Sequence, residues 1–329
     1  MDTEKRISLL ARLGTYIQEA GDAWQRVKLL GVVQNGWFTT DHIDEAATHI
    51  AMEYLDEAKL RAWLSSYKLP AQPRKVGIVM AGNIPLVGFH DFLCGFISGH
   101  NLLLKLSSKD TVLIAHLIKK LSEWDEAVLN QVHTAEMLKG CEAYIATGTN
   151  NTARYFQQYF GKYPNIIRRN RTSVAVLDGS ESGEELAALG KDIFTYFGLG
   201  CRNVTQLCVP EGYDFIPLLQ TMEAYRSFGD HNKYRNNYDY HLALYLLNRV
   251  PYLDNGSLLL VQNDMPFSAV SVLHYRHYTD RAAILAELHA SPDIQAVIGR
   301  GGIPFGTAQR PGLNDYADGV DTMAFLCGL

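Results

Sequence analysis

Apolar residues return at helical spacing at the start of the chain, where Ile7, Leu10, Leu13 and Ile17 predict one face of an amphipathic helix. Asp41 is expected to cap a second stretch rich in Ala, Glu and Leu, so residues 1–70 read as a helical segment. Pro70 and Pro73 break that pattern. Short, wholly apolar runs then begin. Val76–Met80, Asn101–Leu106, Glu142–Ala146 and Val174–Leu177 read as buried strands. Between them, Leu86–Ser98, Thr111–Leu121 and a stretch ending at Phe160 read as helices. Serial strand–turn–helix units predict an α/β fold of two lobes, each built on a mainly parallel sheet flanked by helices. Asp178–Ser182 is a polar joint, so the boundary is expected there, giving lobes 1–178 and 179–329.

Composition narrows the classes. With 47% hydrophobic and 20% charged residues, the chain is an ordinary globular mixture. A net charge of -5 leaves no electrostatic footprint for nucleic acid or an anionic membrane. No apolar run approaches the roughly 20 residues that span a bilayer. Five scattered cysteines point to free thiols in a reducing compartment, so a cytoplasmic location is expected. His231 and His241 lack metal-ligand spacing with any nearby Cys or His, and no metal is expected.

Ligands of doubly wound sheets gather at the carboxyl ends of the strands, so the turns after residues 80, 106 and 146 are the places to search. Neither a glycine-rich dinucleotide fingerprint nor a phosphate loop occurs in them. The segment Arg74–Ser108 nevertheless resembles the aldehyde dehydrogenase superfamily. Asn83 and Pro85 match the family's Asn-x-Pro turn, with Ala81 in place of the preceding Pro. Gly99, Asn101 and Lys105 match its small-Gly-Asn turn and strand-end lysine, with His100 inserted. Ala146-Thr147-Gly148-Thr149 resembles its Phe-Thr-Gly-Ser turn. Phe197-Gly198-Leu199-Gly200-Cys201 resembles the nucleophile segment, and Val209–Asp214 the connection beyond it. Ile303-Pro304-Phe305-Gly306 resembles the Pro-Phe-Gly-Gly motif, with Thr307 replacing the second Gly. The matches fall in the family's order from residue 74 to about 312, whereas the first 70 residues carry none.

The resemblance implies a dinucleotide-binding lobe followed by a catalytic lobe, with Cys201 in the cleft facing Asn83. Cys201 would be the nucleophile and Asn83 an oxyanion donor. Lys105, Gly148, Thr149 and Phe305 would contact the nicotinamide cofactor, NADPH being expected and NADH open. One departure is informative. Arg168 falls where the family has the Glu that activates water, and arginine cannot accept a proton. Release of the acyl group to a thiol needs no activated water, so the pattern looks closest to the acyl-CoA reductases of the LuxC type. Those reduce fatty acyl thioesters, with acyl-CoA or an acyl carrier protein as donor.

Two other readings stay open: an aldehyde dehydrogenase releasing acid with another base, and a non-catalytic relative that binds an acyl group or carrier. Cys94 and Cys208 read as packing rather than chemistry. Arg168, Arg169 and Arg171 are open between a surface cluster and a site for the phosphates of coenzyme A or NADPH. Apolar residues in Asp321–Leu329 suggest an edge strand added to a partner, and hence a homodimer.

Overall fold

Four helices lead the chain in the computed structural model, which describes all 329 residues. They are α1 (Thr3–Glu19), α2 (Asp22–Gln34), α3 (Thr40–His49) and α4 (Glu57–Leu64), with one π-helical turn at Ile50–Tyr54. The spacing of Ile7, Leu10, Leu13 and Ile17 puts all four on the buried face of α1. The Asp2 carboxylate accepts the Lys5 N–H at 2.8 Å and starts that helix. α3 is capped by Thr39, whose hydroxyl accepts the His42 N–H at 3.1 Å. Asp41, expected as the cap, lies inside the first turn, where a carboxylate suits the helix dipole.

A parallel five-stranded sheet follows. Its strands are β1 (Lys75–Val79), β2 (Asn101–Lys105), β3 (Val132–Thr134), β4 (Ala143–Thr147) and β5 (Asn165–Arg168). The connecting helices are α5 (Phe89–Ile97), α6 (Val112–Trp124), α7 (Val128–Gln131) and α8 (Asn150–Phe160). The order β3-β2-β1-β4-β5 reverses direction at β1, so the switch point lies between β1 and β4. Both neighbours pair with β1 in parallel register: Val79 meets Lys105 on one side and Ala146 on the other. α5 is buried nearly all round, and Gly95 lets it approach β2, since a Cβ there would lie 2.6 Å from Leu102 Cδ2. The sequence predicts this helix from Leu86. It starts at Phe89 because Leu86 is left-handed (φ 56°) and belongs to the preceding turn.

The second sheet comprises β6 (Thr172–Val176), β7 (Val204–Pro210), β8 (Leu253–Asp254), β9 (Leu259–Gln262), β10 (Val272–Tyr278) and β11 (Ile294–Gly299). Its helices are α9 (Gly183–Phe194), α10 (Ile216–Met222), α11 (Asn232–Asn248) and α12 (Arg281–Ala290). The order is β11-β6-β7-β10-β9-β8, all parallel except the short antiparallel edge strand β8. Val174, Val176 and Cys208 pack with Ile284 and Leu288 of α12 in a core of their own.

The chain falls into two compact units, Met1–Asn170 with Pro311–Leu329, and Arg171–Arg310. The division precedes the expected position near 178, because β6 pairs with β7 and β11 and so belongs to the second sheet. Residues 311–329 return to the first unit rather than ending in the second. They finish in a helix, α13 (Thr322–Cys327), which corrects the expected edge strand. Asp321 caps it, and Met323 and Leu326 join the core that contains Phe89, Phe92 and Phe96. Those apolar residues are spent inside the first unit, so the strand-mediated homodimer loses its support. No helix is long and apolar enough to cross a membrane.

Candidate active site

The first unit gathers Asn83, Lys105, Gly148 and Thr149 at the carboxyl ends of β1, β2 and β4. Lys105 closes β2 and is exposed. Parallel neighbours lie about 4.8 Å apart, which puts the ends of β2 and β4 about 10 Å from each other with the β1 turn between them. Gly148 is pinned by its N–H to the Arg168 carbonyl at 3.2 Å. Thr149 caps α8, its hydroxyl accepting the Thr152 N–H at 3.3 Å. The first turn of α8 carries no acidic side chain, so its positive end stays uncompensated. An exposed lysine and a hydroxyl-capped helix end, beside a switch point, suit the anionic pyrophosphate and ribose of a dinucleotide. The donor set therefore fits the cofactor implied by the sequence.

Three further side chains hold the turns after β1 and β2, and sequence reasoning passed over all of them. Asn35, just past α2, donates from Nδ2 to the Gly82 carbonyl at 3.5 Å. Gln34 accepts the Thr111 and Val112 N–H groups on Oε1 at 3.2 and 3.1 Å, capping α6 from outside. The helical N-terminal segment thus supports the turns at the ends of β1 and β2. Asp110 lies beneath the Asn83 turn, only 5% exposed, and its Oδ2 accepts the left-handed Leu86 N–H at 2.7 Å. Its Oδ1 is buried without a hydrogen-bond partner. Burial pushes this carboxyl up to about 7, against the opposing pull of the Leu86 and Leu113 N–H groups.

Cys201 and Phe305 belong to the second unit. The approach to Cys201 is bent: Tyr196 and Phe197 are both left-handed (φ 56°), and Gly198 (φ 75°) continues the turn. Two non-glycine residues in this region mark stored strain, which persists only where surroundings enforce it. Asn203, fully buried, supplies the enforcement. Its Oδ1 accepts the Gly200 N–H at 2.7 Å, while Nδ2 donates to the Asp192 and Thr195 carbonyls at 3.0 and 2.8 Å. Ser173 of β6 donates to the Cys201 carbonyl at 3.0 Å. Asp192, at the end of α9, accepts the Gly306 and Ala308 N–H groups at 2.6 and 3.0 Å, fixing the loop that carries Phe305. Burial pushes Asp192 up to about 6 despite those two bonds and nearby Lys191. One sequence signal could have found Asp192. It shares the apolar stripe of Leu186 and Leu189 at helical spacing, where a charge needs a reason.

The thiols differ in setting. Cys94, Cys141 and Cys208 are buried, whereas Cys201 and Cys327 are partly exposed. Burial pushes the Cys94, Cys141, Cys208 and Cys327 thiols up, so each holds less thiolate than an ordinary cysteine.

Arg168 answers to neither alternative left open by the sequence. It ends β5, only 3% exposed. Its guanidinium pairs with Asp91 of α5 at 2.5 Å and donates to the Thr322 hydroxyl of α13 at 2.8 Å. Committed to an internal ion pair, it is not a surface residue and has no reach to a ligand phosphate. Arg171 donates to the Ile294 carbonyl at 3.2 Å within the second unit.

Solved structures share this architecture. Aldehyde dehydrogenase 21 from Physcomitrella patens, in complex with the product succinate, aligns over 91% of this chain and 74% of its own, at 11% identity and a TM-score of 0.69. A Mycobacterium tuberculosis aldehyde dehydrogenase complexed with NAD+ aligns over 91% and 73%, at 13% identity and a TM-score of 0.64. The propionaldehyde dehydrogenase of a Clostridium phytofermentans bacterial microcompartment aligns over 90% and 78%, at 8% identity and a TM-score of 0.60. No protein-family model and no curated protein matches the sequence. At these identities the likeness establishes the fold, which is aldehyde-dehydrogenase-like.

Proposed function

We propose that this chain is an NAD(P)H-dependent reductase of acyl thioesters, of the LuxC type, forming aldehyde through an acyl group carried on Cys201. The observation that carries the reading is the setting of Cys201. It is a partly exposed thiol on a strained loop locked by Asn203 and Ser173, while burial suppresses the other four thiols. In this reading the Cys201 thiolate attacks the thioester carbonyl, and the donor thiol departs as the tetrahedral species collapses. The Cys201 backbone N–H and the Asn83 amide are assigned to the developing oxyanion, each such donor contributing about 2.7–4 kcal/mol. A nicotinamide cofactor, when bound, would supply the hydride that reduces the thioacyl carbon. Cys201 then leaves as the thiohemiacetal opens to aldehyde.

Lys105, Gly148 and Thr149 are assigned to the cofactor's ribose and phosphates, and Phe305 to its nicotinamide end. NADPH is the expected cofactor, and a fatty acyl-CoA the expected donor, with an acyl carrier protein as the alternative. The fate of Arg168 favours thioester exchange over acid release. The resemblance puts Arg168 where the family has its water-activating Glu, and the one carboxylate beside it, Asp91, is committed to the ion pair with this cation.

The test is NADPH consumption with a panel of acyl-CoAs, comparing wild type with Cys201→Ala. Aldehyde and free coenzyme A as products, with turnover lost in the variant, are expected. Full activity in Cys201→Ala would overturn the thioacyl route.

A further inference from the structure

The C-terminal turn of α9 holds two loops through two different parts of one residue. The Asp192 carboxylate accepts the Gly306 N–H on Oδ2 and the Ala308 N–H on Oδ1. Its main-chain carbonyl accepts the amide of Asn203, whose Oδ1 in turn takes the Gly200 N–H next to Cys201. Asp192 is 1% exposed and Asn203 fully buried, so water does not compete for these bonds. Both loops carry left-handed backbone. Gly306 is left-handed (φ 79°), with Ala188 of α9 3.0 Å from the position of a Cβ, and the Cys201 approach carries the strained pair Tyr196 and Phe197.

We infer that Asp192 and Asn203 are positioning residues for the reaction. The Asp192 carboxylate sets the Phe305 loop for the cofactor, and Asn203 sets the Cys201 loop for acylation, with the α9 terminus as their common anchor. The inference rests on the proposed roles of Cys201 and Phe305. It predicts that the two arms separate. Asp192→Asn keeps the main-chain carbonyl that Asn203 uses, yet offers one acceptor and an NH2 group to two N–H donors. Asn203→Ala removes the Cys201 bracket and leaves the Asp192 carboxylate on its two amides.

The experiment measures two quantities on wild type and both variants: NADPH affinity by fluorescence titration, and the rate of Cys201 alkylation by iodoacetamide, followed by peptide mass spectrometry. Asp192→Asn is expected to weaken NADPH roughly tenfold, as loss of a charge-assisted bond holding the loop implies, with alkylation within about twofold of wild type. Asn203→Ala is expected to shift alkylation at least about fivefold with little change in NADPH affinity. Asp192→Glu, which keeps both oxygens, should recover part of the affinity. Equal effects of both variants on both quantities, or no effect on either, would overturn the positioning roles.

Should Asp192→Asn not fold, amide exchange of Gly306 and Ala308 in wild type replaces it. Exchange that is slow, and slower with NADPH, supports the Asp192 arm, and exchange as fast as at Gly301 overturns it. Wild type that does not bind NADPH sinks the reductase reading and the Phe305 arm together. The alkylation rates still decide the Cys201 arm in that case.

Discussion

Replacing Asp110 with Asn should make the first unit more stable at high pH and much less so at low pH. The carboxyl is held at about 7 instead of its ordinary 3.8, because it is buried beneath the Asn83 turn with one oxygen unpartnered. A raised acid pKa means the fold prefers the protonated form. That preference contributes fully below about 4, declines as pH rises, and is gone above about 7. The shift of about 3 units corresponds to about 4 kcal/mol, at about 1.36 kcal/mol per unit. Asn keeps an acceptor for the Leu86 N–H, but places an NH2 group where Oδ1 has no partner, costing about 1–3 kcal/mol at any pH. The net gain at pH 8 is therefore about 1–3 kcal/mol. The cost of the new NH2 group is the same at every pH and drops out of the swing. Between pH 5 and pH 8 the difference between variant and wild type should move by about 3 kcal/mol in favour of Asn. In a unit of this size that is about 6–12 °C in Tm. All four tryptophans, Trp24, Trp37, Trp63 and Trp124, lie in the first unit, so their fluorescence reports its melting selectively. Other titrating groups cancel in the comparison. A difference that stays flat from pH 5 to pH 8 would refute the claim that burial holds this proton.

Other substitutions probe the same frame. Arg168→Met should destabilise by about 3–5 kcal/mol, because it strands Asp91 in the interior, and Arg168→Met with Asp91→Leu should recover most of that in urea denaturation. Arg168→Glu should destabilise similarly, and assays for acid release from aldehyde should stay blank, since the new carboxylate would face Asp91. Thr149→Ala should loosen the first turn of α8 by about 1 kcal/mol, seen as faster amide exchange there, because it removes the cap on the Thr152 N–H. Gly95→Ala should lower stability by about 1–3 kcal/mol, read as a drop in Tm, by pushing α5 off Leu102.

The strands of the first sheet were legible because fully buried parallel strands read as unbroken apolar runs, as Val76–Met80 and Asn101–Leu106 do. The turns after β1, β2 and β4 were legible because each closes one of those apolar runs. Less legible was the start of α5, since nothing in the spelling of Leu86 announces a left-handed backbone. The C-terminal helix was misread from its apolar composition, although Asp321 just ahead of it was a cap signal. Asp192 and Asn203 were missed for a different reason. Asn203 bonds within its neighbourhood, but to main-chain groups, which leave no mark in the residue types around it. The amides held by Asp192 lie more than 100 residues away, and no local pattern encodes such a pairing.

The return of residues 311–329 has a consequence for the order in which the protein can be made. Synthesis joins the whole segment Arg171–Arg310 before it adds the last piece of the first unit. Until then α5 lacks the α13 cover for its apolar surface, Arg168 lacks Thr322, and His100 lacks the Leu326 carbonyl it contacts at 2.9 Å. The inserted unit can thus finish first, while the unit begun earliest waits, partly open, for residues 311–329. A chain cut short after Arg310 should show a protease-resistant second unit beside a first unit that is still cut.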